Sequence, residues 1–110
     1  MPAAPLAVSL GDPAGIAPEV IAQAWTLRDR EGLAPFLVVG GAGVLRAAAL
    51  TRGIDLPVTP ISDAREAMDA FDSGLPVLGG EDCAPSPGQP TPDGARVALH
   101  SLTRATALAL

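Results

Sequence analysis

The chain has no lysine and no tyrosine, and among its 110 residues it has one cysteine, Cys83, and one histidine, His100. Each absence closes off a chemistry. Without lysine there is no Walker A phosphate loop, no Schiff base and no lysine general base. Without tyrosine there is no phenolic proton donor. Cys83 and His100 cannot build a metal centre of recognised ligand spacing, and a lone cysteine forms no disulfide within the chain. Aromatic residues make up only 3% of the sequence, so the 48% that is hydrophobic must build its core from Ala, Val, Leu and Ile. That content is too apolar for a chain disordered throughout.

Basic charge is also scarce. A formal net charge of -5 leaves no basic stripe to neutralise phosphates, which argues against a nucleic-acid partner. Met1-Pro2-Ala3-Ala4 lacks the basic start of a signal peptide. Arginine-free runs such as 32–45 carry Pro35 and several glycines and are too short to span a bilayer. These features predict a soluble, cytoplasmic protein without a membrane partner. The length allows one small domain.

Strand and helix signals alternate along the chain. Leu6 to Leu10 reads as a buried strand and Pro18 to Glu31 as a helix, with Val20, Ile21, Ala24 and Leu27 on one face. Phe36 to Val39 is a second strand. Gly40-Gly41-Ala42-Gly43 turns it into a helix that runs to Arg52 and stops at Gly53. Val58 to Ile61 is a third strand. Asp63 and Glu66 then have the spacing of a capping box. Leu75 to Leu78 is a fourth strand, whose Pro76 predicts an edge position. Residues 83–93, rich in proline, form an extended connection without a core of their own. After Asp93, read as the N-cap, a helix continues to Leu110, with Ala95, Ala98, Leu99, Leu102, Ala105 and Ala109 as its apolar stripe and His100 on its polar face. The alternation predicts an α/β fold with a mostly parallel sheet and flanking helices. The final helix has no glycine cap, basic residue or proline stop. The expectation is a single truncated α/β segment, 1–110, that lacks a C-terminal portion.

The most informative stretch is Ser9-Leu10-Gly11-Asp12-Pro13-Ala14-Gly15-Ile16-Ala17-Pro18-Glu19-Val20. It follows an apolar strand and ends in a helix opened by proline. Free N–H groups and a positive helix end are thereby placed at the carboxyl end of a strand, where α/β proteins bind anions. Gly11, Asp12, Pro13, Ala14, Gly15, Ile16 and Glu19 are the candidate ligand-facing residues. The plain alternative is a strand-to-helix turn started by Asp12-Pro13 and relieved by Gly15. Glu19 is already explained by the helix dipole.

Gly41-Ala42-Gly43 with Asp63 about twenty residues on is a partial dinucleotide fingerprint. Arg46 stands where the third glycine belongs, so a simple helix-start loop is the better reading. Pro87-Gly88-Gln89-Pro90 lacks the basic anchor of a PxxP ligand and reads as a loop. Trp25 reads as core or a subunit contact, and Cys83 as an inert thiol without a cation nearby in sequence.

Gly11-Asp12-Pro13-Ala14-Gly15-Ile16-Ala17-Pro18-Glu19 resembles the N-terminal signature of the 4-hydroxythreonine-4-phosphate dehydrogenase family. Val38-Val39-Gly40, Val44-Leu45-Arg46, Pro87-Gly88-Gln89-Pro90 and Gly94-Ala95 are similar to later family segments in the same order. The resemblance implies the N-terminal portion of an isocitrate/isopropylmalate dehydrogenase-like fold. It further implies an NAD-dependent enzyme of pyridoxine biosynthesis, a homodimer that uses a divalent metal on a small phosphorylated substrate. Relatives oxidise four-carbon sugar-acid phosphates. The family's metal-binding histidines and substrate-gripping residues fall beyond this chain, so no catalytic or metal residue is carried over, and His100 matches none. Where the family has glycine this chain has Ala17, expected to be extended because it precedes proline. Decarboxylating 3-hydroxy-acid dehydrogenases use a shorter glycine-rich loop and fit less well. A non-catalytic anion-binding module and a ligand-free structural fragment remain the alternatives to an enzyme segment.

Overall fold

The computed structural model describes residues 5–109. Four parallel strands, β1 (Leu6–Ser9), β2 (Phe36–Val39), β3 (Val58–Ile61) and β4 (Leu75–Leu78), form one sheet in the order β1-β2-β4-β3. The helices are α1 (Ala17–Thr26), α2 (Ala42–Thr51), α3 (Ala67–Ala70), entered through a 3-10 turn at Ala64–Glu66, and α4 (Pro92–Ala109). The predicted α/β class and all four strands are observed.

The pleat sorts the side chains onto two faces. Phe36 and Val38 join Ile21, Ala22, Trp25, Leu45, Ala49, Leu75 and Val77 in a cluster under α1 and α2. Leu37 and Val39 join Ile61, Ala67, Leu78 and Ala105 in a second cluster under α3 and α4. Both faces of the sheet are thus apolar, as parallel strands require. Trp25 belongs to the core: it is 7% exposed and its indole N–H donates to the Phe71 carbonyl at 2.8 Å.

Several expectations need correction. β4 is not an edge strand but lies between β2 and β3. Leu75 donates to the Pro57 carbonyl at 2.8 Å, so residues 75 and 77 turn their main chain toward β3 and Pro76 turns its nitrogen toward β2. Pairing with β2 begins only at Val38↔Val77, so the missing donor falls just before that ladder starts. The edge rule applies instead to β3, where Pro60 points its nitrogen away from β4.

α1 ends at Thr26 rather than Glu31. The Arg28 guanidinium lies 3.6 Å from the Trp25 ring centre and donates to the Trp25 and Asp72 carbonyls at 3.0 and 2.8 Å. It satisfies the Trp25 carbonyl, which a longer helix would have used itself, and ties the end of α1 to Asp72 outside it. α2 closes as expected: Gly53 has φ 69°, and the Ile54 N–H reaches the Ala49 carbonyl at 3.0 Å. The capping box is only half built. Asp63 accepts the Arg65 N–H at 2.8 Å, but Glu66 takes the Ser62 hydroxyl at 3.1 Å.

The largest correction concerns α4. Its buried stripe is Gly94, Val97, Ser101 and Ala105, whereas Leu99 and Leu102 are 66% and 54% exposed. His100 is half-buried rather than on an open polar face. Small residues face inward because α4 packs closely on β1 and on the loop after it, and the larger leucines point out. The N-cap role falls to Thr91, whose hydroxyl accepts the Gly94 N–H at 3.0 Å, not to Asp93. Ser101 is fully buried, and its Oγ accepts the Leu10 N–H at 2.8 Å. Leu10 follows the last β1–β2 pair, Ser9↔Val39, so Ser101 supplies the partner the sheet no longer offers.

Replacing Ser101 with alanine is expected to orphan the buried Leu10 N–H and cost about 1–3 kcal/mol. Urea denaturation of the variant measures this, and a change within experimental error would show that the hydroxyl is dispensable.

Candidate functional site

The chain leaves β1 through Ser9 and Leu10 and enters a tight turn. The Gly15 N–H donates to the Asp12 carbonyl at 2.9 Å, and the Ala14 N–H donates to Asp12 Oδ1 at 2.9 Å. Asp12 thus fixes the turn with its own carboxylate and carbonyl. Gly11 has φ +75°, and a Cβ there would lie 2.6 Å from Ala17 Cβ. Glycine is required at this point by both conformation and space. Gly15 differs: its φ is not positive, and an added Cβ would meet Asp12 atoms at 3.4 and 3.5 Å, an ordinary contact.

Ala17 is the first residue of α1 rather than extended. Helix packing against Gly11 overrides the mild preference imposed by the following proline. No residue other than glycine has positive φ among the described residues, so alanine sits there without strain. Pro18 occupies the first turn, where no N–H is needed. The Ile16, Ala17 and Glu19 N–H groups have no protein acceptor among the described residues. The corner is open at its tip, with Asp12, Gly15 and Ile16 exposed and Pro13 and Pro18 buried.

The structure therefore brings Gly11 to Ile16 together at one exposed corner. Glu19 lines a crevice beside Pro13 and Gly15, but its carboxylate is engaged elsewhere. The Glu19 carboxylate accepts Arg52 Nε at 2.9 Å and Thr51 Oγ1 at 3.2 Å, tying α1 to α2. The 83–93 connection packs beside the corner. Gly88 donates to the Ala14 carbonyl at 2.9 Å. Pro85 and Pro87 face Pro13, Gly15 and Val44 across a crevice of about 20 Å³, no larger than a water molecule occupies.

Sequence reasoning missed Asp82. Its carboxylate accepts the Gly43 N–H at 2.7 Å and the Val44 N–H at 3.4 Å, capping α2 across a separation of about forty residues. Gly41, at φ 80°, precedes that helix and lies against the Leu10 side chain. A carboxylate already occupies the place where a pyrophosphate would sit in a dinucleotide fold. The other half of the partial fingerprint is also engaged, because Asp63 is paired with Arg65 at 3.0 Å. These residues do not fit a dinucleotide at α2. Nor do they fit a metal, since no three His, Cys, Asp or Glu side chains converge among the described residues. Cys83 is half-buried, and burial, reinforced by the charges of Asp93 and Asp82, pushes its thiol pKa up. That environment makes it a poor nucleophile. No helix among the described residues is long and apolar enough to cross a membrane.

A 4-hydroxythreonine-4-phosphate dehydrogenase from Erythrobacter litoralis is 56% identical over 108 residues, which is 98% of this chain and 32% of the relative. One from Zymomonas mobilis is 40% identical over 109 residues, 94% of this chain and 30% of its own length. The chain is homologous to the 4-hydroxythreonine-4-phosphate dehydrogenases. It spans about a third of the length of the curated relatives it matches. A crystal structure of the enzyme of that name from Burkholderia phymatum superposes with a TM-score of 0.76 at 24% identity, covering 99% of this chain and 33% of that one. This likeness bears on the fold and agrees with the parallel sheet described above. No protein-family model matches the chain.

Gly11→Ala is expected to lower stability by about 1–3 kcal/mol, because it forces a left-handed alanine onto Ala17. Gly15→Ala is expected to be close to neutral, and chemical denaturation of the two variants gives the comparison. Acid titration offers another check. Hydrogen bonds from the Arg65 side chain and backbone lower the Asp63 pKa from 3.8 to about 2. Because the folded value is depressed, the stabilisation is complete above the unfolded pKa and is lost as pH falls through about 2. Carboxyl NMR shifts should show Asp63 still ionised when exposed aspartates have protonated.

Proposed function

We propose that this chain supplies the substrate-facing βα corner of an NAD-linked dehydrogenase of the 4-hydroxythreonine-4-phosphate type. The intact enzyme would oxidise a secondary alcohol on a small phosphorylated substrate, in the cytoplasm, as a homodimer in pyridoxal phosphate synthesis. The observation that carries this reading is the match of nearly the whole chain to curated dehydrogenases of that name. Divalent metal and nicotinamide chemistry belong, on this reading, to the two thirds of the relatives that the chain does not span, since the residues here fit neither group. No step is assigned to them.

The chain's own contribution is recognition. The unpartnered N–H groups of Ile16, Ala17 and Glu19 face a ligand oxygen at the positive end of α1. A helix end of this kind favours a negative charge by about 0.3–1 kcal/mol when exposed, and by more when water is excluded. Asp12 holds the turn that presents them, and Glu19 anchors α1 rather than touching the ligand. The same donors favour one further reading, a corner that binds phosphate-bearing anions without catalysis. A related four-carbon sugar-acid phosphate is the alternative substrate within the enzyme class.

Incubated with NAD, a divalent metal and 4-phosphohydroxythreonine, the purified 110-residue chain should give no turnover, and measurable NADH would refute the division of labour. Joined to the unmatched two thirds of the Erythrobacter litoralis relative, the chain should yield an active dehydrogenase. A folded, soluble chimera without activity would overturn the assignment.

A further inference from the structure

The Pro87-Gly88-Gln89-Pro90 segment carries a turn of its own. The Gln89 N–H donates to the Ser86 carbonyl at 2.9 Å, Pro87 holds the second position, and Gly88, at φ +74°, holds the third. This is the arrangement of a type II turn, in which the N–H of the third residue takes no part in the closing bond. It is left for an outside partner, and the Gly88 N–H finds one in the Ala14 carbonyl at 2.9 Å. An added Cβ at Gly88 would meet no atom within 4 Å, so backbone conformation and not space calls for glycine there.

A connection clamped at both ends delivers this donor. Before the turn, the Asp82 carboxylate accepts the Gly43 N–H at 2.7 Å and the Cys83 N–H at 2.9 Å. After it, the Thr91 hydroxyl caps α4, and Arg96 spans Glu81, Asp93 and the Asp82 carbonyl. On the receiving side Asp12 Oδ1 holds the Ala14 N–H, which fixes the Pro13–Ala14 peptide. The Ala14–Gly15 peptide is held from both sides, its N–H by the Asp12 carbonyl and its C=O by Gly88. The next donors along the chain are the Ile16 and Ala17 N–H groups, which have no protein acceptor among the described residues.

We propose that Gly88 is a positioning residue for the corner. Its N–H fixes the plane of the Ala14–Gly15 peptide, and so the direction in which the Ile16 and Ala17 N–H groups meet an anionic oxygen. This role rests on the anion-binding reading of the corner. Its physical content is a population. Asp12 alone leaves the Ala14 carbonyl free to swing, and a corner that holds its binding geometry for part of the time binds with an affinity reduced by that fraction. The Gly88 bond removes the reduction before the ligand arrives. The net worth of one hydrogen bond corresponds to an about threefold to tenfold change in affinity.

A backbone donor is removed most cleanly as an ester. Cys83 allows a thioester of residues 1–82 to be ligated to a synthetic 83–110 peptide in which an ester replaces the Pro87–Gly88 amide, so that the Gly88 N–H alone is lost. The same ligation with the native amide is the reference. Titrated with inorganic phosphate, the reference should show saturable NMR shifts at the Ile16, Ala17 and Glu19 amides. The ester should raise the phosphate dissociation constant about threefold to tenfold, while its circular dichroism spectrum and its Leu10 and Gly43 amide shifts stay unchanged. A second pair of variants decides the matter if the ester chain does not refold. Gly88→Val disfavours positive φ and should weaken phosphate binding to the same extent. Gly88→Asn tolerates that conformation, keeps the N–H and should bind as the wild type does. Phosphate bound equally tightly with and without the Gly88 donor would overturn the positioning role and leave the anion reading standing. Corner amides that ignore phosphate in the reference chain would overturn the anion reading, and the role of Gly88 with it.

Discussion

One hydrogen bond determines where the corner of this fold can sit. The Leu10 N–H leaves the sheet after the last β1–β2 pair and finds the Ser101 hydroxyl at 2.8 Å, ninety-one residues along the chain. Both groups are fully buried, so water cannot substitute for either, and an unmet amide there would carry its full desolvation penalty. The bond draws α4 onto the end of β1, and that closeness determines which α4 residues can face inward. Gly94, Val97, Ser101 and Ala105 are small enough. Leucines at those positions would hold the helix off and leave Leu10 without its partner.

From that contact the corner is built outward by exclusion of bulk. Leu10 fills the space beside Gly41 that a side chain there would need, and Ala17 does the same to Gly11. The two glycines therefore mark places where packed chains cross, not flexible joints. Pro13 is buried against the start of α4, near Gly94, and Gly88 ties the proline-rich connection to Ala14. The turn is braced from α1, α4 and the 83–93 connection while its tip, Asp12 with Gly15 and Ile16, stays exposed. Such rigidity is what a recognition corner needs if its N–H groups are to meet a ligand without an ordering cost.

Much of this was legible in the sequence because local rules govern it. The four strands follow from short apolar runs, the start of α1 from Pro18, and the end of α2 from Gly53. Local rules failed where a distant partner decides. Pro76 signalled an edge, yet which side of a strand lacks a donor depends on where its neighbour's ladder begins. On α4 the close approach to β1 selects small residues for the inward stripe over larger hydrophobic ones, and the inward serine is explained only by Leu10. Just past the early end of α1, Arg28 bonds the carbonyl of Asp72, forty-four residues away. In the corner itself the turn at Gly11 to Ile16 is legible from its residues, whereas the commitment of Glu19 to Arg52 is not.

Of the helices that begin at the carboxyl edge of this sheet, α1 and α2 differ in a way that bears on where a ligand can go. Both α1 and α2 follow a strand through a glycine-containing turn, and both point a positive end at the same rim. At α2 the position is taken: Asp82 reaches across from the loop after β4 and accepts two of the free N–H groups. A bound anion there would have to expel a carboxylate that satisfies those donors at no translational entropy cost. At α1 the Glu19 carboxylate is engaged by Arg52, and the Asp12 carboxylate is held on the Ala14 N–H. The chain supplies a capping anion to one helix start and directs both nearby carboxylates away from the other. That difference, more than the glycine pattern, is what supports the proposal of the Gly11–Ile16 corner rather than the Gly40–Gly43 loop as the place for an incoming negative group.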